Sequence, residues 1–198
     1  MGRILGALLA LGVVLAIVAI YPLVTSPDRG DAAMPLAGGP TYNEAASSES
    51  FLPPARRQPV PALTFTDADG RQATLAEFRG RVVVLNLWAT WCGPCVQEMP
   101  SLDALQAKLG GPGFAVVALS QDRAGVPVVK TFYDERKLAN LLIWLDKGNA
   151  AGRALKTRGL PTTVIVDAEG REVGRIEGAA EWDSPEMIAR LRAVMAGG

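Results

Sequence analysis

Only two cysteines stand in this chain of 198 residues, and two residues separate them: Cys92-Gly93-Pro94-Cys95. Sulfurs at that spacing can close a disulfide or share a soft metal ion. If a helix begins at Cys92, its unpaired N–H groups and dipole favour negative charge there, which lowers the thiol's pKa and makes thiolate available near neutral pH. Cys95, one turn further in, is expected to be the more buried. Exchange with an external disulfide then has a defined order. Cys92 attacks and forms a mixed disulfide. Cys95 attacks the Cys92 sulfur, the external thiol leaves, and a Cys92–Cys95 disulfide remains.

Other chemistries fare worse. The chain has no histidine, which removes imidazole bases, His-dependent nucleophiles and His metal ligands. A zinc site wants about four ligands, and two sulfurs are on offer. A purely structural disulfide would close too small a loop to stabilise much. Cu(I) on two thiolates stays open, since soft sulfur selects it. The alternative class is therefore a thiol-dependent binding module or copper carrier that does not turn over. A peroxidase would want a Pro-x-x-x-Thr-x-x-Cys run with an Arg, absent before Cys92. Lys+Arg and Asp+Glu balance at 20 each, so nothing suggests a nucleic-acid partner.

The elements that must position the sulfurs are legible on both sides. Residues 81–88 (RVVVLNLW) form an apolar run broken by Asn86, the pattern of a strand buried on both faces. Met99, Leu102, Leu105 and Leu109 then recur at helical spacing, and Gly110-Gly111-Pro112-Gly113 ends that helix. Upstream, residues 62–65 are a short strand, Asp67–Gly70 a turn, and Thr74–Glu77 a helical turn with capping-box spacing. Downstream, the pattern predicts a strand at 114–120, a helix at 128–138, a strand at 141–145, a short helix at 150–156, and a hairpin of 162–166 with 172–176. Ser184-Pro185 opens a last helix. Alternating strands and helices imply an α/β domain with a central, largely parallel sheet and an antiparallel closing hairpin.

Before this domain lie two further segments. Ile4 to Val24 is uncharged and apolar, and about 20 such residues match a hydrocarbon core of ~30 Å. With Arg3 before it, the run reads as an uncleaved signal anchor, a transmembrane helix with the rest of the chain exported. A cleaved secretory signal is the alternative, although Val24-Thr25-Ser26 is a poor cleavage site. Residues 25–60, rich in Pro, Gly, Ala and Ser, read as a flexible linker. The domain organisation expected is thus 1–24 anchor, 25–60 linker and 61–198 globular domain.

The string from Val84 to Cys95 (VLNLWATWCGPC) resembles the thioredoxin superfamily, and NLWATWCGPCVQEMPSLDALQAKL resembles its TlpA/ResA/CcmG branch of membrane-anchored periplasmic thioredoxins. DADG, EFRG, GLPTTVIVD and GAAEW extend the likeness from about Pro61 to the C-terminus. The resemblance implies a thioredoxin-like fold, a central mixed sheet flanked by helices. It implies that Pro161 is the cis-proline facing the cysteines, that the Leu160 backbone pairs with an extended substrate segment, and that Trp91, Gly93 and Pro94 line the docking surface. Trp88 is expected in the core. Cytoplasmic thioredoxins carry a buried Asp where this chain has Asn86, and Glu98, three residues after Cys95, is the substitute the CxxCxxE pattern suggests. The alternative for Glu98 is a solvated helix residue.

The resemblance further implies a protein-disulfide reductase at the bacterial inner membrane, single-pass, with its domain in the periplasm. No metal site and no cofactor beyond the redox-active pair are expected. The implied substrates are a copper-site subunit or copper chaperone of cytochrome oxidase assembly, or apocytochrome c. The implied electron donor is a membrane protein of the DsbD/CcdA type.

Overall fold

The computed structural model describes residues 48–197, with side chains from Phe51 onward. The proposed anchor and residues 25–47 lie outside the described residues. Among the described residues no helix is long and apolar enough to cross a membrane.

The strands are β1 (Ser48–Phe51), β2 (Gln58–Pro59), β3 (Thr64–Asp67), β4 (Gln72–Thr74), β5 (Val82–Trp88), β6 (Phe114–Ser120), β7 (Trp144–Leu145), β8 (Thr162–Val166) and β9 (Arg171–Glu177). The α-helices are α1 (Gly93–Leu109), α2 (Val126–Arg136), α3 (Ala150–Ala154) and α4 (Pro185–Met195), with 3-10 turns at Pro54–Arg56 and Leu75–Phe78. The strands form one sheet in the order β1-β9-β8-β5-β6-β7-β3-β4, and β2 also pairs with β9.

β5 is the central strand, and its alternation sorts the core into two layers. Val82, Val84 and Trp88 pack with α1, α2 and α4 through Met99, Leu102, Phe132, Tyr133 and Leu191. Val83, Leu85 and Leu87 pack on the other face with Leu63, Phe65, Leu75 and Leu155. Leu85 and Leu87 are fully buried, each contributing about 2 kcal/mol by the area it removes from water. The same alternation puts Asn86 on the face that α1 covers.

α1 is the helix predicted after the cysteines. Its first two positions are Gly93 and Pro94, where a missing N–H costs nothing. Pro100 sits inside it and removes one intrahelical bond. α4 opens as expected, with the Ser184 hydroxyl accepting from the Met187 N–H at 3.2 Å. The 3-10 turn at Leu75–Phe78 carries the anticipated capping box between Thr74 and Glu77.

Four expectations are corrected. The sheet is mixed, as the resemblance implies, rather than largely parallel as the element order suggests: β5 runs parallel to β6, and β6 to β7, but β5 pairs antiparallel with β8. A run buried on both faces has no residue pattern that encodes the direction of its neighbour. The linker does not extend to residue 60. β1 pairs with β9 from Ser48↔Glu177 to Phe51↔Gly174, and β2 pairs Gln58↔Glu172. These strands lack an apolar period, yet they cover an edge whose N–H and C=O groups need partners. The Leu52 N–H donates to the Val173 carbonyl at 2.6 Å, and Val60 to Gly170 at 3.1 Å. Finally, residues 72–74 form a strand that the sequence pattern does not separate from the turn, and the strand expected over 141–145 shortens to Trp144–Leu145. There the Asn140 and Leu141 N–H groups donate to the Asp103 carboxylate at 2.8 and 3.1 Å, so that stretch follows a side chain rather than a ladder.

Candidate active site

The cysteines fall at the junction of β5 and α1. Cys92 is the N-cap of α1, and its sulfur accepts from the Cys95 N–H at 3.3 Å. The two sulfurs are joined in a disulfide. Cys95 is fully enclosed, whereas Cys92 retains 7% exposure. That difference fits the order of attack expected from helix position.

The loop before Cys92 is tied down from β6. The buried Asp122 carboxylate accepts from the Thr90 N–H at 2.9 Å, from the Thr90 hydroxyl at 2.7 Å and from the Ser120 hydroxyl at 2.9 Å. The Gln121 N–H also donates to the Trp88 carbonyl at 2.9 Å. Trp91, held in this loop, is 71% exposed. Trp88 behaves as expected of a core residue, with its ring stacked on Tyr133 at 5.9 Å and tilted against Phe132 at 5.1 Å.

Beside Cys92 lies a groove of about 440 Å³. Trp91, Cys92 and Leu160 line it, as expected for the docking surface. Gln121, Asn149, Thr157, Arg158 and Gly159 complete it. Of these five, only Gly159 was legible, as the first residue of the GLPTTVIVD string; the other four sit in irregular segments with no period. The left-handed backbone of Asn149 at φ 57° marks such a turn but leaves no pattern around it. Gln121 donates to Asn149 across the groove at 2.7 Å. Gly93 and Pro94 are exposed on the first turn of α1 without lining the groove. The Leu160–Pro161 peptide is cis, and Pro161 itself is buried. The Pro161 carbonyl accepts from the Gly178 N–H at 2.9 Å. The Leu160 N–H and C=O enter no backbone hydrogen bond among the described residues.

Three residues after Cys95, on the same helix, stands Glu98. It is 3% exposed, which rules out the solvated alternative. Its Oε1 accepts from Asn86 Nδ2 at 2.7 Å, and its Oε2 accepts from Trp182 Nε1 at 2.9 Å and from the Ala180 N–H at 3.1 Å. Asn86 Nδ2 also donates to the Thr163 hydroxyl at 2.8 Å. Among the described residues no cation forms an ion pair with this carboxyl. Burial pushes its pKa up to about 7, against the opposing pull of the Trp182, Ala180 and Asn86 donors. Asn86 and Glu98, noted separately in the sequence, are thus direct partners. Trp182 was legible only as part of the GAAEW string, and its indole is the donor that the string conceals. No group of three or more potential metal ligands occurs among the described residues.

The Redoxin family profile matches residues 55–193, well over half of the chain. The chain belongs to the Redoxin family. Within it, the sequence is 36% identical over 122 residues to the thiol-disulfide oxidoreductase ResA of Bacillus thuringiensis, covering 60% of this chain and 68% of that one. The ResA of Bacillus anthracis is 33% identical over 119 residues, with the same coverage. Among solved structures, a protein from Chlorobium tepidum assigned as thiol:disulfide interchange protein DsbE superposes with a TM-score of 0.63 at 27% identity, covering 70% of this chain and 96% of the other. These likenesses place the Redoxin domain in a ResA/CcmG-type thioredoxin-like group. Together with the Cys92–Cys95 disulfide they make it a thiol–disulfide oxidoreductase.

Proposed function

We propose that this Redoxin protein is a periplasmic, membrane-anchored reductant of protein disulfides. The observation that carries the reading is the asymmetry of the pair: Cys92 borders a groove at a helix N-terminus while Cys95 is shut away behind it. In the reduced enzyme the Cys92 thiolate attacks one sulfur of the substrate disulfide. A Cys92–substrate bond forms, and the substrate's other sulfur leaves as thiolate and takes a proton. The Cys95 thiol gives up its proton and attacks the Cys92 sulfur. The second substrate sulfur leaves, and the enzyme disulfide is restored with two electrons passed to the substrate. An extended substrate segment would pair with the open Leu160 backbone in the manner of strand addition, with Trp91 beside it.

Glu98 is the proton acceptor we assign to Cys95. It lies three residues on, on the same face of α1, and its pKa near 7 suits a group that takes and returns a proton at neutral pH. The substrate class we favour is the cysteine pair of a copper-site subunit or its copper chaperone in cytochrome oxidase assembly. Reduction of the disulfide of oxidised apocytochrome c, which yields the thiols needed for haem attachment, is the second candidate. Re-reduction would come by thiol–disulfide exchange with a membrane donor of the DsbD/CcdA type, near which an anchor at Ile4–Val24 would hold the domain, with no cofactor beyond the cysteines.

The test is insulin reduction with dithiothreitol, comparing wild type with Cys92→Ser. Loss of the protein-dependent rate is expected, and an equal rate in the variant would refute the reading. Cys95→Ala, which strands the substrate on Cys92, should then recover a mixed disulfide with a respiratory-assembly protein. Recovery of small thiols alone would remove that assignment.

A further inference from the structure

We infer that the groove beside Cys92 selects substrates whose reactive cysteine is flanked by acidic residues. The inference rests on the reductase reading above and adds a substrate class to it.

Two segments supply most of the groove: residues 121–125 after β6, and residues 147–160 from the end of β7 to the residue before Pro161. Every exposed charge on them is a cation, namely Arg123, Lys147, Arg153, Lys156 and Arg158. The carboxylate within the first segment, Asp122, and the one that precedes the second, Asp146, are buried and used structurally. Asp122 accepts from Thr90 and Ser120. Asp146 accepts from the Ala150 and Ala151 N–H groups at 2.8 and 3.1 Å, capping α3. The chain as a whole carries no formal net charge, so the one-sided exposed charge of the two segments that form the groove's rim is a local departure rather than a general excess.

Of these cations, Arg158 lines the groove itself. Its guanidinium is held by Glu177 of β9, with Nε donating at 2.9 Å and Nη2 also bonded. That contact fixes the fork at the groove's edge and neutralises part of one charge, while the others stand in addition to it. Glu181, on the loop after β9, faces Asp183 instead. The remaining polar lining, Gln121, Asn149 and Thr157, is neutral.

The occupant this chemistry fits is a polypeptide rather than a lipid surface. The groove these segments form is bordered by Cys92 and by Leu160, whose backbone enters no backbone hydrogen bond among the described residues, and both features recognise a chain. Opposite charge at a rim acts mainly on the encounter rate, and steering of this kind is worth about 10-fold or more at low ionic strength.

The test uses the full chain, pre-reduced and held in a neutral detergent, with two disulfide peptides that differ only in Asp/Glu or Lys/Arg flanks. Each reduction rate is divided by that of the same peptide with dithiothreitol, which removes differences in intrinsic reactivity. The acidic peptide is expected to react about 10-fold faster at low salt, with the gap closing at high salt. Lys147→Glu/Lys156→Glu, which leaves Arg158 with Glu177, should remove most of the preference, and adding Arg158→Gln should remove the rest. Equal normalised rates in wild type, or a preference the variants leave unchanged, would overturn the inference while the reductase reading stood. If the variants instead lost binding to anionic lipid vesicles and kept the peptide preference, the rim would be a membrane face and the inference would fall. Failure to reduce either peptide would overturn the reductase reading and the inference with it.

Discussion

The indole Nε1 of Trp182 donates to Oε2 of Glu98 at 2.9 Å, so the loop leaving the last strand is bonded to a carboxyl one helical turn from the enclosed sulfur of Cys95. The two residues are far apart in sequence, and each is buried. The Glu98 carboxyl is therefore held by an element that carries no catalytic motif.

Trp182→Phe keeps most of the ring and removes the donor. With one of its three donors gone, the Glu98 carboxylate is less well solvated, so its pKa should rise above 7. The lost bond to a charged acceptor should also cost about 2 kcal/mol of stability at pH 8. A carbon-13 NMR titration of glutamate carboxyls reads the first effect and denaturant unfolding the second. An unchanged titration would show that the indole does not tune the acid.

Glu98 makes stability fall as pH rises. Its pKa is raised on folding, from 4.5 to about 7, so between those values the folded state holds more protons than the unfolded state. Stability contributed by the protonated form is full below about pH 4.5 and is lost as pH climbs through 7. The full difference is about 3 kcal/mol. Unfolding of the oxidised protein at pH 5 and pH 8 measures it. Glu98→Gln should flatten the slope, because a neutral amide has nothing to titrate. The Gln nitrogen can be accommodated if Asn86 turns its amide over, which offers the Oδ1 that now lacks a partner.

Asp122 should matter to activity although it touches neither sulfur. Asp122→Ala leaves the Thr90 N–H and hydroxyl without their acceptor, at a cost of about 2 kcal/mol. The loop that presents Trp91 and Cys92 is then held by fewer bonds. The insulin-reduction rate should drop several-fold at a temperature where circular dichroism still shows a folded domain. A rate equal to wild type there would make the carboxylate a stability element only.

Removing residues up to Pro59 tests whether the first two strands belong to the domain. β9 would lose both edge partners, and Phe51 would vanish from beneath the Arg190 guanidinium, now 5.5 Å from its ring centroid. A fall of several degrees in Tm is expected, together with faster amide exchange along β9. An unchanged Tm would return residues 48–59 to the linker.

The chemistry and the centre of the fold were readable because each left a local signature. The spacing of Cys92 and Cys95, the run at 82–88 and the leucines of α1 are periodic or adjacent. What was not readable depends on contacts between segments remote in the chain. Nothing near Asn86 says that it meets Glu98, and nothing near Thr157 or Asn149 says that they border Cys92. SESF at 48–51 has no apolar alternation, so only the open edge of β9 explains why it is a strand. Direction within the sheet was likewise hidden, since the valines of β8 pack equally well against a parallel or an antiparallel neighbour.

The placement of β1 bears on how the molecule can be handled. Ser48 lies opposite Glu177, and Glu177 opposite Thr162, the residue after Pro161. The chain thus enters the domain two strands, roughly 10 Å, from the strand that follows the cis peptide. α4 ends elsewhere: Met195 comes beside Gly113, whose carbonyl bonds Val82 at the far end of β5 from the cysteines. A dye, resin or fused protein joined just ahead of Ser48 will crowd the groove. The same cargo joined after Met195 will leave it clear.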